Sequence, residues 1–173
     1  MTDIDRRHLI GALALGSATL AGSLTANAAP KELKMSDMKK DTEVACLYHC
    51  DFGDNQRYDA MLRNINKHLS AHGLEPLGVK IVLVAHAADI KYHLTDLAGT
   101  PWEKAPPIDP DYEKRMAALA QYGVEVYLCK ITFDRMALDI GRAKDVPYIR
   151  IVPSGVATVA QLQMKGFAYL KVG

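Results

Sequence analysis

Hydrophobic positions along this chain switch repeatedly between two periods. Val44 to Cys50 (VACLYHC) is a short run of β-branched, aromatic and small apolar residues bounded by polar turn residues, and it reads as a strand. From Asn55 to His72 the spacing becomes helical, with Tyr58, Met61, Leu62, Ile65 and Leu69 on one stripe. Asp51-Phe52-Gly53-Asp54 is a turn able to cap that helix, and Gly73 is placed to stop it. Val79 to His86 (VKIVLVAH) is nearly continuous in apolar residues, the signature of a strand covered on both faces. Asp89 to Leu97 reads as a short helix, followed by a loop from Gly99 to Pro110 that holds Trp102 and four prolines. Asp109-Pro110 opens the next helix, which carries Tyr112, Met116 and Leu119 to Gly123.

A third strand begins at Val124 and stops at Cys129, with Thr132 as the expected N-cap of a helix to about Ile140. Tyr148 to Pro153 is a fourth strand, Ser154 caps a helix through Lys165, and Gly166 precedes a last strand, Phe167 to Val172. Strand alternating with helix predicts one α/β domain, residues 43–173: a five-stranded parallel sheet covered on both faces, joined by right-handed crossovers. The order 2-1-3-4-5, common for this architecture, would make the first and third strands neighbours.

The N-terminus changes the picture of where the protein works. Arg6-Arg7 precedes an apolar Ala/Leu/Gly-rich run that ends at Ala26-Asn27-Ala28, an A-x-A cleavage pattern. Residues 1–28 therefore read as a cleavable signal, with the arginine pair pointing to the twin-arginine route and a periplasmic product. The run is too short and too interrupted by Gly, Ser and Thr for a membrane span. Residues 29–42, with Lys31, Lys34, Lys39 and Lys40, read as a flexible, solvated lead-in. The formal net charge is +1, and it stays there once the signal with its two arginines and two aspartates is removed. That balance gives no electrostatic case for nucleic acid or for a membrane surface after processing.

In a parallel sheet the C-terminal strand ends face one edge, and here they carry His49, Cys50, His86, Cys129 and Ser154-Gly155. Three cysteines leave at least one thiol without an intramolecular partner. Cys46 and Cys50 share an extended strand and cannot bridge each other. His49 and Cys50 point to opposite faces, so at most one of them need enter the strand-end crevice. Cys46 is expected in the core and Ser154 as a helix cap. A buried structural cysteine is the plainer reading of Cys129. Cys50, His86 and Cys129 form an alternative soft-metal set for copper(I) or zinc, scattered over three strands without short ligand spacings. There is no Gly-rich phosphate loop and no G-x-S-x-G elbow, and no cofactor is expected.

Tyr122-Gly-Val-Glu-Val-Tyr-Leu-Cys129, Val152-Pro-Ser-Gly-Val156 and Leu162-Gln-Met-Lys-Gly-Phe-Ala-Tyr169, with Asn64-Ile65-Asn66 and Val84-Ala85-His86, resemble the DsrE/DsrF-like proteins over nearly the whole mature chain. The resemblance implies a flavodoxin-like three-layer fold, assembly into trimers or hexamers, and a sulfur-carrying cysteine at Cys129. Family members often have Gly-rich residues where this chain has Ala87-Ala88-Asp89. The function expected is a sulfur carrier or sulfurtransferase that forms a persulfide on Cys129, exchanging with donor and acceptor proteins or small sulfane-sulfur compounds. Cys50 is the expected resolving thiol, provided that it faces the same side as Cys129 and the two strands adjoin. The alternative is a non-catalytic oligomeric module holding a small ligand or soft metal ion in the strand-end pocket.

Overall fold

The structure, a computed structural model, describes residues 29–75 and 78–172. The expected export signal lies outside the described residues. Five strands, β1 (Val44–Cys50), β2 (Val79–Ala85), β3 (Val124–Cys129), β4 (Ile149–Val152) and β5 (Ala168–Lys171), form one all-parallel sheet. Its order is β4-β3-β2-β1-β5. The expected neighbourhood of the first and third strands is therefore wrong, because β2 lies between them. The chain steps β1, β2, β3, β4 in one direction across the sheet and returns to the far edge only for β5.

That path decides which face each helix covers. A right-handed crossover taken repeatedly in one direction puts every intervening helix on the same face. Helices α1 (Asn55–Ala71) and α2 (Asp111–Ala120) and the short α3 (Lys130–Arg135) follow that rule. They pack with Cys46, Tyr48, Cys50, Leu83, Val126 and Leu128 in the larger core. The long return from β4 to β5 runs the other way, so α4 (Gly155–Met164) covers the opposite face over Leu47, Val82, Val84 and Tyr127.

One ten-residue helix cannot cover five strands, and residues 30–42 complete that face rather than forming a solvated lead-in. Leu33 N–H donates to the Ile151 carbonyl at 2.8 Å, and Ile151 N–H to the Lys31 carbonyl at 3.0 Å, which lays this segment along β4. Met38 is buried in the second core, with Leu33 and Met35 packed against it. Its lysines dominate the composition, while three apolar residues without strand or helix period do the packing.

Local signals are met closely in α1. Asp54 caps it by accepting from Arg57 N–H, its buried residues are Tyr58, Met61, Leu62, Ile65 and Leu69, and Gly73 follows with φ 77°. The apolar loop residue Trp102 rests against the larger core. The helix expected from Thr132 is instead α3, and Cys129 itself occupies its N-cap position. Thr132 serves elsewhere, since its Oγ1 accepts from Ala87 N–H at 3.1 Å and pins the exit from β2. There the chain turns sharply into a 3-10 helix, Ala87–His93, where a short helix is expected from Asp89 to Leu97. Ala87 adopts a left-handed backbone, φ 51°, a conformation that glycine takes without cost.

Candidate functional site

The site follows from the register of the strand ends. Cys50 pairs with Ala85, and Ala85 with Leu128, so His86 and Cys129 come next, side by side on adjacent strands. Alternation along each strand then sorts the side chains. Tyr48, Ala85 and Leu128 face the larger core, whereas His49, His86 and Cys129 share the face of Val84 and Tyr127. In addition, β3 sends its connection to one face and β4 sends its connection to the other. The crevice of an open α/β sheet opens between two such strands. Cys129 at the end of β3 and Ser154-Gly155 after β4 flank that point.

A pocket of about 400 Å³ occupies the crevice, lined by His86, Ala87, Cys129, Ile131, Thr132, Arg135, Met136, Ser154 and Val156. Cys129 lies on its floor with 5% of its surface open. Ser154 Oγ accepts from Ala157 N–H at 3.3 Å and starts α4 as expected. Gly155 is wedged between the two functional strands. A Cβ there would stand 3.0 Å from His86 Cβ and 3.2 Å from Cys129 Cβ. A side chain here would force His86 or Cys129 to give way by a few tenths of an ångström, so glycine suits this close approach of the helix N-terminus.

The histidines form a chain. His49 Nε2 and His86 Nε2 are 2.6 Å apart, and His49 Nδ1 is 2.9 Å from the Tyr169 hydroxyl on β5. The imidazole planes are inclined by only 20° with centroids 4.8 Å apart. With the two nitrogens that close, the rings meet edge to edge, each nitrogen lone pair in line with the other. Burial and the neighbouring His49 push His86 below its ordinary value of 6.5, while Asp51 acts in the opposite direction. His86 is therefore neutral at pH 7.

Cys50 does not join this group. It is fully buried on the other face, its Sγ 3.2 Å from Met61 Sδ and 3.6 Å from the Tyr48 carbonyl. Burial first, then the charges of Asp89 and Asp51, hold its thiol well above the usual range. Two strand spacings, roughly 10 Å, separate it from Cys129, beyond the reach of a disulfide. The geometric condition for a resolving role is not met, and the Cys50/His86/Cys129 metal set is split between faces for the same reason. Among the described residues no three His, Cys, Asp or Glu side chains gather around a metal position. Cys46 lies in the core as expected, its thiol pushed up to about 12 by burial.

Sequence reasoning missed Tyr169 and Arg135 as neighbours of the site. Tyr169 reaches His49 only because β5 pairs with β1, Leu47 opposite Tyr169, and no local pattern reveals which edge the last strand takes. Arg135 enters because the N-cap of α3 is Cys129 and not Thr132, three residues later.

Comparison with known proteins agrees with this architecture. An uncharacterized protein of Aquifex aeolicus (strain VF5) is 27% identical over 128 residues, covering 73% of this chain and 55% of that protein. The chain thus spans little more than half the length of that relative. A solved structure of a protein of unknown function from Methanobacterium thermoautotrophicum superposes with a TM-score of 0.59 at 19% identity, covering 75% of this chain and 99% of that one. That likeness is one of fold. The DsrE/DsrF-like family profile matches residues 52–172, which include β2 to β5 and every pocket residue, and the chain belongs to the DsrE/DsrF-like family.

Proposed function

We propose that this protein is a sulfur carrier that holds sulfane sulfur as a persulfide on Cys129. The observation that carries the reading is the position of Cys129. Of the three thiols it is the one at the bottom of the crevice where β3 and β4 part, while Cys46 and Cys50 are sealed in the opposite core. Family membership, of a sulfur-relay type, supports the same chemistry. The Cys129 thiolate attacks the outer sulfur of a donor persulfide, RS–SH. The Cys129 sulfur–sulfur bond forms as the donor bond breaks, and RS⁻ leaves and takes up a proton. No net oxidation occurs. The reverse step on an acceptor thiol completes the transfer.

Intact mass after exposure to thiosulfate or polysulfide tests this. The expected result is a gain of one sulfur atom that dithiothreitol removes, mapped to the peptide holding Cys129. An unchanged mass would leave a non-catalytic binding module. The reading extends to export: Arg6-Arg7 and Ala26-Asn27-Ala28 would deliver the carrier to the periplasm, and N-terminal sequencing of exported protein should begin near Ala29. The same reading includes self-association, a trimer by family resemblance. A monomer mass in light scattering would count against it.

A further inference from the structure

We infer that Tyr169, His49 and His86 form a proton wire between the surface of β5 and the Cys129 pocket, with His86 the base that takes the thiol proton. This rests on Cys129 being the reacting group.

Two imidazole nitrogens facing each other at 2.6 Å must hold one proton between them: with none the lone pairs repel, and with two the N–H groups collide. The two rings are therefore locked into matched tautomers. With the proton on His49 Nε2, His49 Nδ1 accepts from the Tyr169 hydroxyl and His86 carries its proton on Nδ1. With the proton on His86 Nε2, the His86 Nδ1 lone pair is bare and His49 Nδ1–H donates to Tyr169. The second arrangement is the base. His86 Nδ1 accepts the Cys129 proton, the shared proton moves to His49 Nε2, His49 passes its Nδ1 proton to the Tyr169 oxygen, and the Tyr169 hydroxyl, 41% exposed, releases its own proton to solvent. When the leaving thiolate departs, the same wire runs backward and protonates it, so protons balance over the transfer.

The surroundings suit this role. His86 is adjacent to Cys129 across the β2–β3 ladder, and both touch the space left by Gly155. No direct hydrogen bond joins His86 to the Cys129 thiol, so the proton crosses the pocket through a water or the donor sulfur. Burial keeps His86 unprotonated and available. The charged groups around the pair are few. Asp51 follows β1, Lys171 pairs with His49 across the β1–β5 ladder, and Arg135 stands on α3, while α4 carries no charged residue. An isolated core histidine would need one backbone partner; this pair instead spends its polar atoms on each other and on a surface hydroxyl.

The test is the rate of Cys129 alkylation by iodoacetamide as a function of pH, read peptide by peptide in the full mature protein, with no sulfur donor present. His86→Gln should slow the reaction at pH 7 by on the order of 10²-fold and displace the rate profile toward alkaline pH. His49→Gln should displace it in the same direction by about tenfold in rate, and Tyr169→Phe, at an exposed position, by less. Long-range ¹⁵N spectra of the unmutated protein give a second readout independent of folding. His49 and His86 should show matched tautomers, with one proton shared between the two Nε2 atoms. Unmatched tautomers in the two rings, or a profile that none of the three substitutions moves, overturns the wire. Persulfide formation with an unmoved pH profile would sink the wire alone, and a shifted profile without persulfide would sink the carrier reading alone.

Discussion

The two faces of the sheet use the same residue types at the same strand ends to opposite purposes. On the face of α1 and α2, Cys50, Asp89 and His93 are sealed among Tyr58, Met61 and Tyr92. On the α4 face, Cys129, His49 and His86 line or adjoin a crevice. Three consecutive helices crowd the first face, whereas one helix and residues 30–38 share the second. A thiol becomes a site here through the number of elements covering its side of the sheet. Its own neighbours in sequence contribute little.

The sharpest way to break this comparison is to exchange the thiols' fates. Cys129→Ser should abolish both persulfide gain and rapid alkylation, while Cys50→Ala should leave both intact and lower stability by about 1–2 kcal/mol as packing against Met61 is lost. Peptide mapping and urea unfolding read the two outcomes. If Cys50→Ala stops persulfide formation, the division of the sheet into a closed and an open face is wrong.

Packing gives the next largest contrast. Ile65→Ala on the closed face should cost about 2–5 kcal/mol, because a fully buried side chain is replaced by a cavity. Val156→Ala at the crevice mouth, where the side chain is 69% exposed, should change stability by less than about 0.5 kcal/mol. Equal losses would mean that the crevice is covered in solution.

Gly155→Ala tests the contact on which the open face depends. The added methyl would press on His86 and Cys129 at 3.0 and 3.2 Å, so a loss of about 1–3 kcal/mol is expected together with slower Cys129 alkylation. An unaffected Tm would show that α4 stands farther from the strands.

The smallest effect separates the faces by pH. Burial raises Asp89 above its ordinary 3.8, with His93 only partly opposing it, and its Oδ1 has no hydrogen-bond partner among the described residues. A raised folded pKa favours the protonated state, so this contribution is present below about pH 3.8 and is lost as pH rises through the folded value. His86, lowered from 6.5, has the opposite sign: its contribution is present above that value and is lost as pH falls through the folded one. Asp89→Asn should therefore raise Tm relative to the parent at pH 7, with the gain shrinking toward pH 3.5. A gain independent of pH would remove the Asp89 charge as its cause.

The sequence by itself determined most of the elements and their inner faces. The stripe of α1, the continuous apolar run of β2 and the caps at Asp54 and Ser154 act within a few residues, where period and hydrogen-bonding chemistry suffice. It also placed His49, His86, Cys129 and Ser154-Gly155 at one sheet edge, because parallel strands end together. Strand alternation further separated His49 from Cys50. Only the tertiary structure decided which of the two lies on the face of the crevice. That choice depends on strand order: β2 between β1 and β3 excludes a Cys50–Cys129 pair, β5 beside β1 brings Tyr169 to His49, and the reversal of direction after β4 opens the pocket at Cys129. Strand order is set by which large apolar faces bury best against one another over the whole chain. That free energy belongs to no local segment, so no local pattern records it.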